Sequence, residues 1–101
     1  MRILAVDDEK DALEVLVAAI SECEKDAEIK AFNSPAEALA YATENPPDIA
    51  FLDIRMPTMS GLDLAKKLKA INVRVNIVFS TGYSEYASDA FSMHASGYIM
   101  K

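Results

Sequence analysis

The chain has 101 residues, of which 51% are hydrophobic, enough for one compact domain with a single core. Sixteen acidic against ten basic side chains give a net charge of -6, which opposes binding to nucleic-acid phosphates by this chain. The single cysteine, Cys23, excludes an internal disulfide and favours the cytoplasm, and no apolar run approaches the ~20 residues of a membrane helix.

Strands and helices are predicted to alternate along the chain. Runs of apolar residues predict strands at residues 3–6, 28–32, 49–52, 75–79 and 98–101, the second being the weakest. From Asp11 onward, apolar residues at offsets of three, four and seven predict a helix. Its buried stripe comprises Leu13, Leu16, Val17 and Ile20. This alternation indicates a parallel sheet with right-handed crossovers.

Local signals predict where the other helices begin and end. Ser34 with Glu37, and Ser60 with Asp63, form capping boxes, the first with proline at the first helical position. The first of these helices turns Leu39 and Ala42 inward and the second Leu64, Leu68 and Ile71.

A shorter helix is predicted after the fourth strand. Ser84 is its expected cap, and Gly97 fits the bend after it.

Polar side chains follow the predicted strands at one edge of the sheet. Asp7 and Asp8, with Glu9 beside them, follow the first strand, and Asp53 follows the third. Thr81 follows the fourth strand, and Lys101 ends the fifth. Open α/β sheets place their chemistry at this edge. Crowded carboxylates need a cation, and hard oxygen ligands suit Mg²⁺, so the set indicates phosphoryl chemistry.

These residues together resemble the receiver domain of two-component response regulators. The matching motifs are Asp7-Asp8, Asp53, Met56-Pro57-x-x-x-Gly61, Thr81-Gly82 and Lys101. The resemblance covers nearly the whole chain. It implies one receiver domain over residues 1–101, with a flavodoxin-like α/β fold of three layers and a parallel sheet in the order 2-1-3-4-5.

The resemblance also implies a role for each site residue. Asp53 accepts a phosphoryl group from a sensor histidine kinase, and Thr81 and Lys101 bind that group. Asp7, Asp8, Asp53 and the backbone carbonyl of Arg55 hold Mg²⁺. Tyr98 matches the aromatic residue that changes rotamer on activation, which couples the site to a surface around Tyr86, Phe91 and Tyr98.

The resemblance implies partners beyond this chain as well. A DNA-binding output domain would follow the receiver. The chain itself is expected to bind neither nucleic acid nor membrane, and a homodimer is left open. The loop and helix from Ser80 to Phe91 are similar to receivers coupled to LytTR-type DNA-binding domains.

Two features depart from the family pattern. The fifth helix, which normally follows the lysine, is absent from this chain, and without it the first, third and fifth strands are expected to expose apolar surface. Gly82 replaces a common alanine, which leaves space and a more flexible loop.

Other interpretations remain open. Asp7 and Asp8 could simply cap a helix, and Thr81 could be a turn hydroxyl. A pseudo-receiver that acts by constitutive contact is one alternative function, although all the expected acids are present. A Mg²⁺-dependent phosphohydrolase with an aspartyl nucleophile is another, although Arg55 occupies the position where such enzymes carry a second acid. His94, without an acidic or cysteine companion nearby, is expected at the surface.

Overall fold

A computed structural model describes all residues, 1–101, as alternating strands and helices around one sheet. The strands are β1 Arg2–Val6, β2 Glu28–Phe32, β3 Ile49–Leu52, β4 Asn76–Thr81 and β5 Gly97–Met100. The helices are α1 Lys10–Cys23, α2 Pro35–Glu44, α3 Gly61–Ile71 and α4 Ala87–Ser92, with a short 3-10 helix, Ser84–Tyr86, before α4. No helix is both long enough and apolar enough to cross a membrane.

The sheet has five strands, all parallel, in the order β2-β1-β3-β4-β5, so the predicted flavodoxin-like topology is confirmed. Val6 pairs with Leu52 at the carboxyl end of β1 and β3, and Leu52 pairs in turn with Phe79. Because the strands run in the same direction, the residues that follow them meet at one edge.

The two faces of the sheet carry separate apolar clusters, which gives three layers. Leu4 and Val6 of β1 face the side covered by α2, α3 and α4, where Leu64 packs in the larger cluster. Ile3 and Ala5 face the opposite side, which α1 covers. This alternation follows from the two-residue period of a strand.

The predicted helix starts before α2 and α3 are confirmed by their caps. The Ser34 hydroxyl oxygen accepts a hydrogen bond from the Glu37 backbone N–H at 3.3 Å, and Ser60 accepts one from the Asp63 N–H at 3.2 Å. Each cap satisfies a backbone donor that has no partner inside its helix.

The predicted bend at Gly97 is wrong, because α4 ends earlier. His94, which is exposed as expected, has φ 61°, and the following Ala95 N–H donates to the Ala90 carbonyl at 3.1 Å. This left-handed residue closes the helix in the way that glycine often does. Gly97 instead begins β5, where a Cβ atom would lie 3.4 Å from the Val78 side chain.

The expected exposure of three strands is only partly observed. Ile3 of β1 is buried, and Phe51 of β3 is partly covered, because α1 packs over both strands. Among these three strands, the exposed large apolar side chains lie on β5, where Ile99 is 48% and Met100 51% accessible to solvent, and Val15 of α1 is exposed beside them.

Glycine is required at position 61 because the backbone there passes close to the Asp53 carbonyl. Any side chain at this position is therefore predicted to destabilise the fold. A Cβ atom at Gly61 would lie 1.9 Å from the Asp53 carbonyl oxygen, whereas one at Gly82 would meet nothing within 4 Å. Gly61→Ala should therefore destabilise the fold by about 1–3 kcal/mol, measured by urea unfolding. Gly82→Ala is the matched control and should be neutral or stabilising by up to about 1 kcal/mol. Equal effects of the two changes would contradict this prediction.

Candidate functional site

Four strand ends bring the predicted site residues together at one edge of the sheet. β1 leads to Asp7, β3 to Asp53, β4 ends in Thr81, and Lys101 follows β5. Asp7 is only 1% exposed and Thr81 is fully buried, although both are polar. Burial of a polar group costs free energy unless the group forms hydrogen bonds or ion pairs, so each of these side chains needs a partner within the site.

One oxygen of each buried carboxylate is held by the backbone. Asp7 Oδ1 accepts a hydrogen bond from the Glu9 N–H at 3.0 Å, and Asp53 Oδ1 accepts one from the Ile54 N–H at 2.8 Å. Asp7 thus has the local turn contact expected of a cap, but no side chain caps α1, whose N-cap residue is Glu9. The second oxygen of each carboxylate is left for contacts across the site.

Lys101 joins the two carboxylates through those second oxygens. Its Nζ atom donates to Asp7 Oδ2 at 2.7 Å and to Asp53 Oδ2 at 3.2 Å. Its backbone N–H also donates to the Thr81 carbonyl at 2.9 Å. The lysine therefore supplies a positive charge between two buried acids and ties β5 to β4 at the same point.

The pKa values of Asp53 and Lys101 follow from this arrangement. Burial, and secondly the negative charge of Asp7, raise the pKa of Asp53 above its ordinary value, while Lys101 partly opposes the rise. Burial acts to lower the pKa of Lys101, but its hydrogen bonds to Asp7 and Asp53 and their negative charges outweigh burial and raise it. Lys101 is therefore charged at neutral pH, and ionised Asp53 is held in an unfavourable environment.

Asp7, Asp8 and Asp53 form an acidic cluster that could hold a metal ion. Oxygen atoms of all three lie within 4.8 Å of one another. A group of carboxylates partly open to water is the kind of donor set that a hard divalent cation requires. The role of the Arg55 carbonyl as a further ligand stays a prediction, and Glu9, which is exposed, lies outside this cluster.

Thr81 and Tyr98 are linked through the backbone of Tyr83. The Thr81 hydroxyl oxygen accepts a hydrogen bond from the Tyr83 N–H at 3.4 Å, and the Tyr98 hydroxyl donates to the Tyr83 carbonyl. The Tyr98 ring also packs against Phe79 in β4, with ring centres 6.4 Å apart. The turn hydroxyl and the candidate switch tyrosine therefore share one contact residue.

Sequence reasoning missed the position of Tyr83 and of the Arg55 side chain. The Arg55 guanidinium lies 4.5 Å from the centre of the Tyr83 ring. The sequence patterns single out Arg55 for its backbone carbonyl and as the residue that stands in place of a second acid, and neither reason points to Tyr83. Their spacing in the sequence gives no sign of this contact, because it joins two loops that follow different strands.

Comparison with known proteins identifies the class. The family model described as the response regulator receiver domain matches residues 3–101. The chain therefore belongs to the family of response regulator receiver domains.

Two curated relatives show the wider context. The chain is similar to the sensory transduction protein LytT of Enterococcus faecalis, with 39% identity over 101 residues, which is 100% of this chain and 42% of that protein. It is also similar to the positive alginate biosynthesis regulatory protein of Pseudomonas aeruginosa, with 37% identity over 100% of this chain and 41% of that protein. The chain thus spans about two fifths of these relatives, and the LytT match agrees with the predicted likeness to LytTR-type receivers.

A solved structure agrees in fold. The response regulator protein TrrA from Thermotoga maritima, solved in complex with Mg(2+)-BeF, is 36% identical, with a TM-score of 0.86 over 99% of this chain and 85% of that one.

The raised pKa of Asp53 predicts a pH-dependent stability difference. The folded protein binds the proton of the Asp53 carboxyl more tightly than the unfolded chain does. Below the ordinary pKa of 3.8 the carboxyl is protonated in both states, so it does not lower the free energy of unfolding. As pH rises through the raised pKa, Asp53 ionises in the folded protein and the free energy of unfolding falls. Asp53→Asn should therefore match the wild type in acid and become the more stable protein towards neutral pH in metal-free buffer, measured by urea unfolding across that range.

The control for this prediction is Asp26→Asn, which removes the same charge from an exposed turn. It should show no comparable gain with rising pH. A stability difference between Asp53→Asn and the wild type that shrinks towards neutral pH would contradict the assigned direction.

Proposed function

We propose that Asp53 accepts a phosphoryl group from a sensor histidine kinase and that the chain acts as a phosphorylation-dependent switch. The observation that supports this most directly is the placement of Asp53, a nearly buried carboxylate whose Oδ2 lies 3.2 Å from the Lys101 Nζ. A buried acid with two acidic neighbours and one lysine is suited to transfer of an anionic group.

Each residue has a defined part in the proposed transfer. A carboxylate oxygen of Asp53 forms a bond to phosphorus while the bond from phosphorus to the donor nitrogen breaks. Lys101 is placed to donate to an oxygen of the transferred group, and Thr81 offers its hydroxyl to another. These contacts would stabilise the negative charge on the oxygens of the phosphoryl group during its transfer.

Asp7, Asp8 and Asp53, with the Arg55 carbonyl, would hold Mg²⁺ in this scheme. The bound ion would supply positive charge that offsets the carboxylates and the phosphoryl oxygens. The three carboxylates fit this role because their oxygens lie close together, and because backbone N–H groups hold the carboxylates of Asp7 and Asp53 in place. Lys101 alone compensates only part of the negative charge of the cluster.

The switch in this proposal passes from Thr81 to Tyr98. Movement of the Thr81 hydroxyl towards the phosphoryl group alters the hydrogen bond from the Tyr83 N–H, and the Tyr83 carbonyl is the acceptor for the Tyr98 hydroxyl. A population shift between two packings then changes the surface of α4 and β5, where Phe91 is 83% exposed.

The two alternative functions are less well supported. A phosphohydrolase that turns over small esters lacks its second acid, since Arg55 stands two residues after Asp53. A pseudo-receiver would not require Asp7, Asp53 and Lys101 to meet at one point. The chain is accordingly proposed to take up and lose its own phosphoryl group without being a turnover enzyme.

The partners proposed for the whole protein follow from its relatives. The two relatives described above are more than twice as long as the matched region, and one is named a regulator of alginate biosynthesis. We propose that a DNA-binding output domain follows the receiver and that the protein acts in the cytoplasm. With a net charge of -6, the receiver itself is not expected to bind DNA.

Phosphoryl uptake should be visible in the intact mass of the purified chain. Incubation with acetyl phosphate and Mg²⁺ should give a single phosphoryl adduct, because acetyl phosphate can replace the kinase as donor to an activated carboxylate. Asp53→Asn and a sample treated with a chelator should show none. An adduct that persists in Asp53→Asn would assign the phosphoacceptor elsewhere, and turnover of a small phosphate ester would favour the hydrolase.

Thr81→Val should separate phosphoryl uptake from the switch. Valine keeps the shape of the buried threonine but removes the hydroxyl, so we expect the adduct to form while most of the phosphorylation-dependent change in the NMR shift of Tyr98 disappears. Thr43→Val, which removes a hydroxyl bonded to the Leu39 carbonyl on an exposed helix, is the control. A Tyr98 response in Thr81→Val equal to that of the wild type would refute the proposed route.

A further inference from the structure

Arg55 and Tyr83 connect the two loops that border the acidic site. Arg55 belongs to the β3–α3 loop, two residues after Asp53, and Tyr83 to the β4–α4 loop, two residues after Thr81. The distance of 4.5 Å from the guanidinium to the ring centre lies well within cation–π range. Arginine suits this position because its planar group can stack on an aromatic face.

Tyr83 is also the residue through which its loop contacts the rest of the switch. Its N–H donates to Thr81, its carbonyl accepts from Tyr98, and its ring lies edge-on to Tyr86 at 6.3 Å. Movement of the Tyr83 backbone would therefore change the distance from the Tyr98 hydroxyl to its acceptor, the Tyr83 carbonyl.

The Arg55–Tyr83 contact lies at the protein surface, where water can replace it. Tyr83 is 41% exposed, and Arg55 is exposed as well. Neither residue contributes to the buried core, so loss of the contact should change the position of the loop without unfolding the domain. An exposed cation–π contact shifts an equilibrium between two loop positions by about two- to fivefold.

We propose that the Arg55–Tyr83 contact is a clasp that couples the acidic site to Tyr98. Filling the site repositions the loop that carries Arg55, the guanidinium shifts relative to the Tyr83 ring, and the Tyr83 carbonyl changes its distance from the Tyr98 hydroxyl. Both are positioning residues and touch no reacting atom. The clasp gives the β3–α3 loop a route to the switch that does not pass through Thr81. This coupling rests on the proposed function, whereas the clasp itself is a property of the unphosphorylated chain.

A double-mutant cycle on the unphosphorylated, metal-free chain tests the clasp. Arg55→Gln removes the charge at similar length, and Tyr83→Leu removes the ring while keeping the backbone. Each single change should alter the ratio of bonded to released Tyr98, read from its ring ¹³C–¹H shifts, by about two- to fivefold. The double variant should show no further change, because both substitutions remove the same contact.

Two further variants exclude indirect effects. Tyr83→Phe keeps the ring and should behave as the wild type. Arg74→Gln removes an equal charge from an exposed position at the other end of β4 and should leave Tyr98 unchanged. Additive effects of the two single changes, or an Arg74→Gln effect as large as that of Arg55→Gln, would overturn the clasp.

The phosphoryl adduct then separates the clasp from the proposed function. If the cycle is non-additive and acetyl phosphate labels Asp53, Tyr83→Leu should accept the adduct but show a smaller Tyr98 response than the wild type. A full Tyr98 response in Tyr83→Leu would overturn the coupling. A non-additive cycle in a chain that takes no adduct would keep the clasp and reject the phosphoacceptor function.

Discussion

The arrangement on which the site depends is the burial of Asp7 and Asp53 beside each other, with the Lys101 ammonium between them. Burial disfavours the charged form of Asp53, and the nearby negative charge of Asp7 adds repulsion, so the pKa of Asp53 is raised. One lysine offsets only part of it. A divalent cation or neutralisation of one acid would relieve the rest, so the free energy of the cluster depends on its charge.

The sheet makes this arrangement possible because its parallel strands end at one edge. Backbone pairing fixes the register of β1, β3 and β4, and this register brings together residues that are far apart in the sequence. The loop after β3 must then return close to its own strand, which is why Gly61 approaches the Asp53 carbonyl. Stability of the fold and geometry of the site are therefore linked through the same loop.

The β4–α4 loop connects the acidic edge to the surface of α4 and β5. Tyr83 contacts Thr81, Tyr98 and Arg55 through three different groups, namely its N–H, its carbonyl and its ring. All three contacts are weak or exposed compared with the core. A loop held in this way can change its position at low energetic cost, which suits a domain whose proposed activity is a change between two states.

The sequence by itself determined the order of the elements, the helix starts at Ser34 and Ser60, and which acids and polar residues end the strands. These follow from patterns within a few residues, since hydrophobic period and capping are local. Only the tertiary structure decided the contacts of Lys101 with Asp7, 94 positions away in the sequence, and of Arg55 with Tyr83. It also decided that the left-handed residue after α4 is His94, not Gly97, and that α1 covers β1 and β3. Distances between side chains on different strands and loops depend on packing of the whole chain, and local patterns carry no information about them.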